Sequence, residues 1–264
     1  MLSEVKARSG AVLTGAMNTT ATMRLQPLAR REGFASVSEL IAAARIRPDG
    51  ALWNAIADHL AHSETRFFRD RALFERLRTV ILPDTLARRG HERVRIWSAA
   101  CASGQEPYSI AMMIEDMRAE GLGPAADIIA TDMSERLIDK ARSGLYTQFE
   151  VQRGLPIRKM ITHFEKAGDL WRISDRLRAS VRFENFNLLH RPEQSGQFDI
   201  ILLCHVLGGF DAETRTAIIA RLAEIMHPEG CILLGAGETL PDGCEDLAFA
   251  GGIVTRKNAG RRAA

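Results

Sequence analysis

The sequence predicts an α/β fold in which a small N-terminal helical domain precedes a doubly wound, mainly parallel sheet. Two observations favour this fold. Apolar residues at helical spacing fill the first part of the chain, whereas short β-rich apolar runs alternate with helical segments in the second part. Strands interleaved with helices form βαβ units and hence parallel sheets. We place the boundary at about residue 85, giving domains 1–85 and 86–264.

The N-terminal domain is predicted to be entirely helical. Residues 1–20 are small and polar without a sustained period, so we expect them to be frayed or disordered. Helical spacing then predicts two short helices between Thr22 and Arg45, broken at Pro27 and Gly33, a third helix at about 50–62, and a fourth at 71–81 that ends before Pro83. Arg24, Arg30 and Arg31 make the first of these helical units basic.

The second domain alternates strands and helices. The predicted strands are 94–98, 127–131, 181–185, 199–204, 230–235 and about 252–257, and the predicted helices are 106–119, 134–143 and 212–226. The alternation stops between Tyr146 and Val181, where a short helix, a turn at Gly168-Asp169 and a strand-like run at 170–173 follow one another. This segment, about 147–180, interrupts the alternation of the second domain.

The most informative stretch is Arg93 to Glu115, RVRIWSAACASGQEPYSIAMMIE. A buried strand is followed by small residues, Ser98 to Gly104, and then by a helix. Small side chains at this point let a ligand approach the backbone, and the helix N-terminus offers unpaired N–H groups. Ligands of open α/β sheets bind at such strand ends. The alternative interpretation is a tight turn selected only for packing.

A second strand, DIIATD, ends in Asp132, about 28 residues after Gly104. In dinucleotide-binding folds an acid at roughly 20 residues' spacing reaches a ribose. An adenosine-containing ligand is therefore predicted. NAD is disfavoured because the loop, Ala-Cys-Ala-Ser-Gly-Gln, lacks the G-x-G-x-x-G pattern.

Composition excludes several classes of protein. The chain has 264 residues with 46% hydrophobic and 26% charged residues, typical of a globular protein, and its net charge of +2 gives no sign of nucleic-acid binding. No apolar stretch approaches 18 residues and no signal-peptide pattern occurs, so we expect a cytoplasmic protein without membrane insertion. Four scattered cysteines predict no metal site. The G-x-S-x-G and P-loop patterns of serine hydrolases and NTPases are missing.

Six sequence words occur in one order along the chain. They are SETRFFRD (63–70), WSAACASGQEPYSIAMM (97–113), ATDMSERLIDKARSGLY (130–146), GLP (154–156), VRFENFNLL (181–189) and FDIILLCHVLGGFD (198–211). This order resembles the CheR family of chemotaxis-receptor methyltransferases, which use S-adenosylmethionine (SAM). The resemblance covers roughly residues 60–257. It implies a seven-stranded SAM-methyltransferase sheet whose last strand is antiparallel, with a small antiparallel β insertion.

The resemblance also implies a set of site residues. Thr65 and Arg69 match residues at the methionine end and methyl group of SAM, and Arg69 is the predicted catalytic residue. Glu106 matches an acid near the amino-acid moiety, and Asp132 the acid that takes the ribose hydroxyls. Asn187 and Leu188 match the pair that brackets the adenine. Structural alternatives stay open, since Glu106 and Asp132 could be helix caps and Asn187 a turn residue.

The chain departs from the family pattern at the active-site side of the sheet. Ser63 stands where the family has Asn, and Cys204-His205-Val-Leu-Gly-Gly-Phe replaces Arg-Asn-Val-Leu-Ile-Tyr-Phe. Ser63, Cys204 and His205 are included in the predicted cofactor-binding set by their position. For His205, a ligand-facing role and simple packing both remain open. Gly209 replaces a tyrosine that lines the methyl-transfer site, and Gly235-Ala-Gly-Glu238 replaces Gly-His-Ser-Glu.

The resemblance implies methyl transfer from SAM to glutamate carboxylates of methyl-accepting chemotaxis receptors, forming methyl esters for sensory adaptation and leaving S-adenosylhomocysteine (SAH). The implied partner is the cytoplasmic domain of such receptors, and the short Lys166–Leu170 segment resembles the pentapeptide-independent branch. We expect a monomer. One alternative is a catalytically impaired, regulatory CheR-like module that binds SAM, SAH or a receptor without turnover. Another is a methyltransferase with a different acceptor.

Overall fold

The computed structural model describes residues 2–12, 18–47, 50–60, 64–90, 92–192 and 196–257. The chain divides into two compact units. One comprises Met1–His62 with Gly208–Arg215, and the other Ser63–Leu207 with Thr216–Ala264. Residues 63–85, which the sequence assigned to the helical domain, therefore belong to the second unit. The reason is packing: Phe67, Phe74 and Leu77 lie in one hydrophobic cluster with the strands of the sheet.

The first unit contains four helices, α1 (Leu2–Ser9), α2 (Asn18–Arg31), α3 (Val37–Ile46) and α4 (Ala51–Leu60). Helices α1, α2 and α3 all pack on α4. Its core consists of apolar side chains that are at most 1% exposed: Val5, Leu25, Leu28, Leu40, Ile56 and Leu60. The apolar spacing of this part of the chain is therefore that of amphipathic helices sharing one core.

Two predictions for this unit are wrong. Residues 2–9 are helical rather than frayed, because Val5 is fully buried and the Ser9 hydroxyl donates to the Val5 carbonyl at 2.8 Å. Helix α2 also continues through Pro27. A proline inside a helix costs about 3 kcal/mol, and the burial of Leu25 and Leu28 on either side of it offsets that cost.

The fourth predicted helix does not end before Pro83. Helix α5 (Arg71–Arg76) continues through a π-helical turn (Leu77–Ile81) into α6 (Leu82–Arg89). Pro83 is the second residue of α6, directly after the π-helical turn. Among the described residues, each helix is either too short or too polar to cross a lipid bilayer.

The remaining elements follow in chain order: β1 (Val94–Ala99), α7 (Gln105–Ala119), β2 (Ala126–Asp132), α8 (Glu135–Ser143), β3 (Leu145–Tyr146), α9 (Gln148–Gln152), α10 (Ile157–His163), β4 (Phe164–Ala167), β5 (Leu170–Ile173), α11 (Asp175–Ala179), β6 (Val181–Asn185), β7 (Phe198–Leu203), α12 (Ala212–Ile225), β8 (Met226–Leu234), β9 (Leu247–Ala250) and β10 (Ile253–Arg256). Seven strands form one sheet in the order β6-β2-β1-β7-β8-β10-β9. Strand β10 is antiparallel to both neighbours, whereas β6, β2, β1, β7 and β8 pair in parallel. The predicted α/β fold class is confirmed.

The insertion after β2 and α8 forms a small sheet of its own. Strands β3, β5 and β4 pair antiparallel in that order, and β4 and β5 are joined by a two-residue turn at Gly168 and Asp169. In the main sheet, β1, β2 and β7 are buried along nearly their whole length. Their shared direction brings their carboxyl ends to one edge, where Asp132 ends β2 and Cys204 and His205 follow β7.

Candidate active site

Backbone strain among the described residues is concentrated around the carboxyl edge of the sheet. Four non-glycine residues have positive φ: Phe68 (47°), Ala100 (56°), Ala102 (48°) and His205 (61°). Ala100 and Ala102 lie between β1 and α7, His205 lies just beyond β7, and Phe68 lies in the segment before α5. Such conformations cost about 1–3 kcal/mol each and cluster at functional sites.

The loop between β1 and α7 is closely packed, as its small residues predicted. Gly104 has φ +91°, and a Cβ added there would lie 2.8 Å from the Cβ of Ala141. The N–H of Cys101 donates to the Thr131 carbonyl at 2.8 Å. The N–H of Ala102 donates to Oδ2 of Asp132 at 2.9 Å. The loop is therefore held against the end of β2.

Asp132 ends β2 and is 8% exposed. Its Oδ1 accepts a hydrogen bond from the N–H of Ser134 at 2.9 Å, while Oδ2 accepts the bond from Ala102. Its carbonyl accepts from the N–H of Phe186, beyond β6, at 3.0 Å. One residue thus joins the ends of three strands. Ser134, not Asp132, caps α8 through its hydroxyl, so the helix-cap alternative for Asp132 is wrong.

Glu106 lies in the first turn of α7, and its side chain meets the ends of β1 and β7. Its Oε1 accepts a hydrogen bond from the Ser98 hydroxyl at 2.7 Å, and Cys204 contacts the same carboxyl group. Burial raises the pKa of Glu106 to about 7, although the bonds from Ser98 and Cys204 and the charge of Arg69 oppose that rise. In the part of the chain that the structure describes, Glu106 has no ion-pair partner.

The same environment suppresses ionisation of Cys204. Burial raises the pKa of its thiol well above the usual value, and the neighbouring Glu106 adds to the effect. The thiol also lies 3.7 Å from the Leu233 carbonyl on β8. Cys204 is therefore a neutral hydrogen-bonding group beside Glu106 rather than a nucleophile.

The segment before α5 brings a guanidinium to this edge. Half-buried Arg69 donates from Nη1 to the Glu64 carbonyl at 2.6 Å, and its charge acts on Glu106. The N–H of Phe68 donates to the Ser109 hydroxyl on α7 at 3.0 Å, which fixes the segment. Thr65 is half-buried in the same segment. Ser63 lies outside the described residues.

Asn187 and Leu188 follow β6. Oδ1 of Asn187 accepts from the N–H of Leu189 at 3.0 Å, the pattern of an Asx turn. Leu188 is buried, and its carbonyl accepts from Arg221 Nη1 at 3.0 Å. The bond from Phe186 to Asp132 places this pair next to the end of β2. Both the turn role and the predicted adenine contact remain compatible with this arrangement.

His205 is the first residue after Cys204, and two acids meet it. Its Nε2 lies 3.2 Å from Oδ2 of Asp70, and its N–H donates to Oε2 of Glu238 at 2.6 Å. Neither Asp70 nor Glu238 was among the predicted site residues, nor was Ser98. Asp70 is the last residue of SETRFFRD, and Glu238 is the last residue of Gly-Ala-Gly-Glu. Their positions in these two segments, both of which correspond to segments of the family pattern, could have indicated a role at the site.

The residues present fit a ligand with a cationic end and vicinal hydroxyls. Glu106 is an acid whose burial is uncompensated by any cation at ion-pair distance among the described residues, which favours a cationic ligand group. The Asp132 carboxylate is a hydrogen-bond acceptor of the kind that binds vicinal hydroxyls. Among the residues that the structure describes, no group of three or more His, Cys, Asp or Glu side chains could hold a metal ion.

A match to a known protein family identifies the class of protein to which this chain belongs. Residues 63–252 match the family described as "CheR methyltransferase, SAM binding domain", so the chain carries the SAM-binding domain of a methyltransferase. This chain belongs to the CheR methyltransferase family, which confirms the resemblance and SAM as the cofactor.

Curated relatives extend the match over most of the chain. The chemotaxis protein methyltransferase Cher2 of Pseudomonas putida is 34% identical over 88% of this chain and 86% of its own length. Chemotaxis protein methyltransferase 1 of Pseudomonas aeruginosa is 34% identical over 94% of this chain and 92% of its own. The chemotaxis protein methyltransferase of Vibrio parahaemolyticus is 35% identical over 89% of this chain and 86% of its own. The chain is thus similar to SAM-dependent methyltransferases of chemotaxis.

Proposed function

We propose that this protein methylates glutamate side chains in the cytoplasmic domain of methyl-accepting chemotaxis receptors, forming methyl esters for sensory adaptation. The observation that carries the proposal is that the buried carboxyl group of Glu106 and the guanidinium of Arg69 lie at the same edge of the sheet without forming an ion pair with each other. Arg69 is close enough to lower the pKa of Glu106. The acid suits the cationic end of SAM, and the guanidinium suits an incoming carboxylate.

The proposed reaction requires little from the protein beyond binding and alignment. Bound SAM supplies an electrophilic methyl group on a positively charged sulfur. The acceptor carboxylate is already ionised near neutral pH, so no strong general base is required. The side chains then act through proximity and charge: Asp132 binds the ribose hydroxyls, Glu106 the cationic amino group and Arg69 the acceptor carboxylate. Asn187 and Leu188 flank the adenine, with Ser63, Thr65, Cys204 and His205 completing the pocket.

The partner proposal rests on the insertion. Only Gly168 and Asp169 connect β4 to β5, and this short turn supports recognition that does not depend on a receptor pentapeptide. We include in the proposal that the enzyme acts as a cytoplasmic monomer, without binding nucleic acid.

A labelled-methyl assay tests the proposal. The protein is incubated with SAM carrying a labelled methyl group and with a receptor cytoplasmic fragment, and alkali-labile methyl is measured as released methanol. A fragment with its methylation-site glutamates changed to glutamine should accept no label. The variant Arg69→Ala should lower kcat at least tenfold, whereas Arg93→Ala, at the amino edge of the sheet beside Asp127, should not.

The assay also separates the alternatives. Gly208 and Gly209 favour the impaired regulatory module, since they stand where the family has a larger side chain and an aromatic wall. Binding of SAH without any labelled ester would support that module and contradict the proposal. Label appearing in small molecules but not in the receptor fragment would support a different acceptor.

A further inference from the structure

Two acids outside the predicted cofactor set hold the carboxyl ends of β7 and β8 in place. Oε2 of Glu238 accepts hydrogen bonds from the N–H groups of His205, at 2.6 Å, and Gly235, at 2.9 Å. Its Oε1 accepts from the N–H of Leu207 at 2.9 Å. A single carboxylate therefore satisfies three backbone donors, two after β7 and one after β8.

This clamp stabilises an unusual turn. His205 has φ +61°, a conformation that few side chains adopt. The N–H groups on both sides of Val206 point to Glu238, so the turn that follows Cys204 is defined by that one side chain. Gly235 is required for the close approach, because a Cβ there would lie 2.8 Å from the backbone nitrogen of His205.

Asp70 joins a second segment to the same place. Its Oδ2 accepts from the N–H of Ala236 at 2.8 Å and lies 3.2 Å from Nε2 of His205. Asp70 directly follows Arg69 in the chain. The position of the guanidinium is therefore coupled to the β7 and β8 ends through its neighbour. Asp70 is the N-cap residue of α5, but its side chain makes no capping hydrogen bond to that helix.

We propose that Asp70 and Glu238 are positioning residues for methyl transfer, which align Arg69 and the Cys204–His205 turn with respect to each other. The inference rests on the proposed function and goes beyond it by assigning a role to two residues outside the predicted cofactor-binding set. Loss of either carboxylate changes the geometry of the reacting end while the ribose end, held by Asp132, stays in place. The defect therefore falls mainly on kcat.

The variants Glu238→Gln and Asp70→Asn test this assignment. Each keeps the shape of the side chain and removes its charge. In Glu238→Gln one of the two acceptor oxygens becomes a donor, so at least one of the three backbone N–H groups loses its partner. In Asp70→Asn the group that accepts from Ala236 and faces His205 becomes neutral. We expect kcat to fall at least tenfold and KM for SAM to change less than threefold, with the thermal unfolding midpoint within about 5 °C of wild type. The exposed acids Glu229 on β8 and Asp84 on α6 provide matched controls: Glu229→Gln and Asp84→Asn should leave kcat unchanged.

A purely structural role gives a different result. It would lower the unfolding midpoint and leave kcat per folded molecule as in wild type, which would overturn the proposal. Equal losses in kcat and in SAM affinity would also overturn the proposal. The variant Asp70→Glu, which retains the charge and both acceptor oxygens, should recover more than half of the kcat lost in Asp70→Asn; no recovery would contradict the assignment.

Failure of the inference and failure of the proposed function are distinguishable. Wild-type protein that transfers no methyl group to receptor carboxylates contradicts the proposed function. Active wild-type protein with unaffected Glu238→Gln and Asp70→Asn variants contradicts only the positioning role. Hydrogen exchange at the amides of His205 and Leu207 needs no turnover, and at least tenfold faster exchange in Glu238→Gln supports the clamp in either case, while unchanged exchange overturns it.

Discussion

The backbone N–H of Ala102 donates a hydrogen bond of 2.9 Å to Oδ2 of Asp132. Ala102 itself is held at φ +48°, in the loop between β1 and α7, whereas Asp132 ends β2. The acid that the family pattern assigns to the ribose thus also shapes the small-residue loop beside it. The proposed binding role and the structural role therefore fall on one residue, and experiments on Asp132 must separate the two.

Replacing Asp132 should lower the affinity for SAH while the protein remains folded. We expect Asp132→Ala to bind SAH at least tenfold more weakly, a loss of about 1.4 kcal/mol, as measured by calorimetric titration. Asp127→Ala, at the amino end of the same strand in an ion pair with Arg93, is the matched control and should bind as wild type. Unchanged SAH affinity in folded Asp132→Ala would contradict the ribose assignment.

The raised pKa of Glu106 makes stability depend on pH. The group titrates near 4.5 when unfolded and at about 7 when folded, so the folded state prefers the protonated form. Relative to Glu106→Gln, wild type should lose stability as pH rises from 4.5 to 7 and then level off. Urea unfolding of both proteins between pH 4 and 8.5 measures this difference; a difference independent of pH would contradict the shift.

The same titration should appear in ligand binding. A cationic ligand group favours ionised Glu106, so SAH should bind more tightly as pH rises through 7 and should release protons when it binds at pH 6.5. Calorimetry in two buffers of different ionisation enthalpy detects the released protons. The Glu106→Gln variant should lose most of this release, and proton uptake by wild type would exclude the assignment.

Gly104 should be required for the close packing of the loop after β1. Gly104→Ala combines a positive φ with a Cβ 2.8 Å from that of Ala141, whereas Gly121 has φ +78° but nothing within 4 Å of an added Cβ. Gly121→Ala therefore measures only the cost of placing a side chain at positive φ, a loss of about 1–2 kcal/mol in unfolding free energy. Gly104→Ala should cost at least about 1 kcal/mol more, as measured by urea unfolding. Equal losses of unfolding free energy in Gly104→Ala and Gly121→Ala would contradict this prediction, because they would show that the loop moves to accommodate the added Cβ.

The conformation of His205 explains why the residue can replace asparagine. Asn and His are both enriched at positive φ, and both can donate a hydrogen bond. We expect His205→Asn to unfold within about 0.5 kcal/mol of wild type and to keep kcat within threefold. His205→Ala should lose about 1–2 kcal/mol and the contact with Asp70. A His205→Asn variant as impaired as His205→Ala would show that the imidazole itself is needed.

The predictable parts of the site lie close together in sequence. The strand ending at Asp132 and the helix opening at Glu106 were visible because a buried strand and an amphipathic helix each have their own periodicity. The contact between Ser98 and Glu106 spans only 8 residues. The resemblance to the CheR family then predicted roles for Thr65, Arg69, Asn187 and Leu188. No local pattern in the sequence could indicate those roles.

The sequence by itself determined the class of fold, the parallel core of the sheet and the edge at which Glu106 and Asp132 lie. Only the tertiary structure decided that α2 continues through Pro27, that α6 follows the π-helical turn, and that Asp70 meets His205 across 135 residues. The reason is physical: periodicity is set by neighbours along the chain, whereas the cost of a proline or a positive φ is offset by burial and hydrogen bonds from residues far away in sequence.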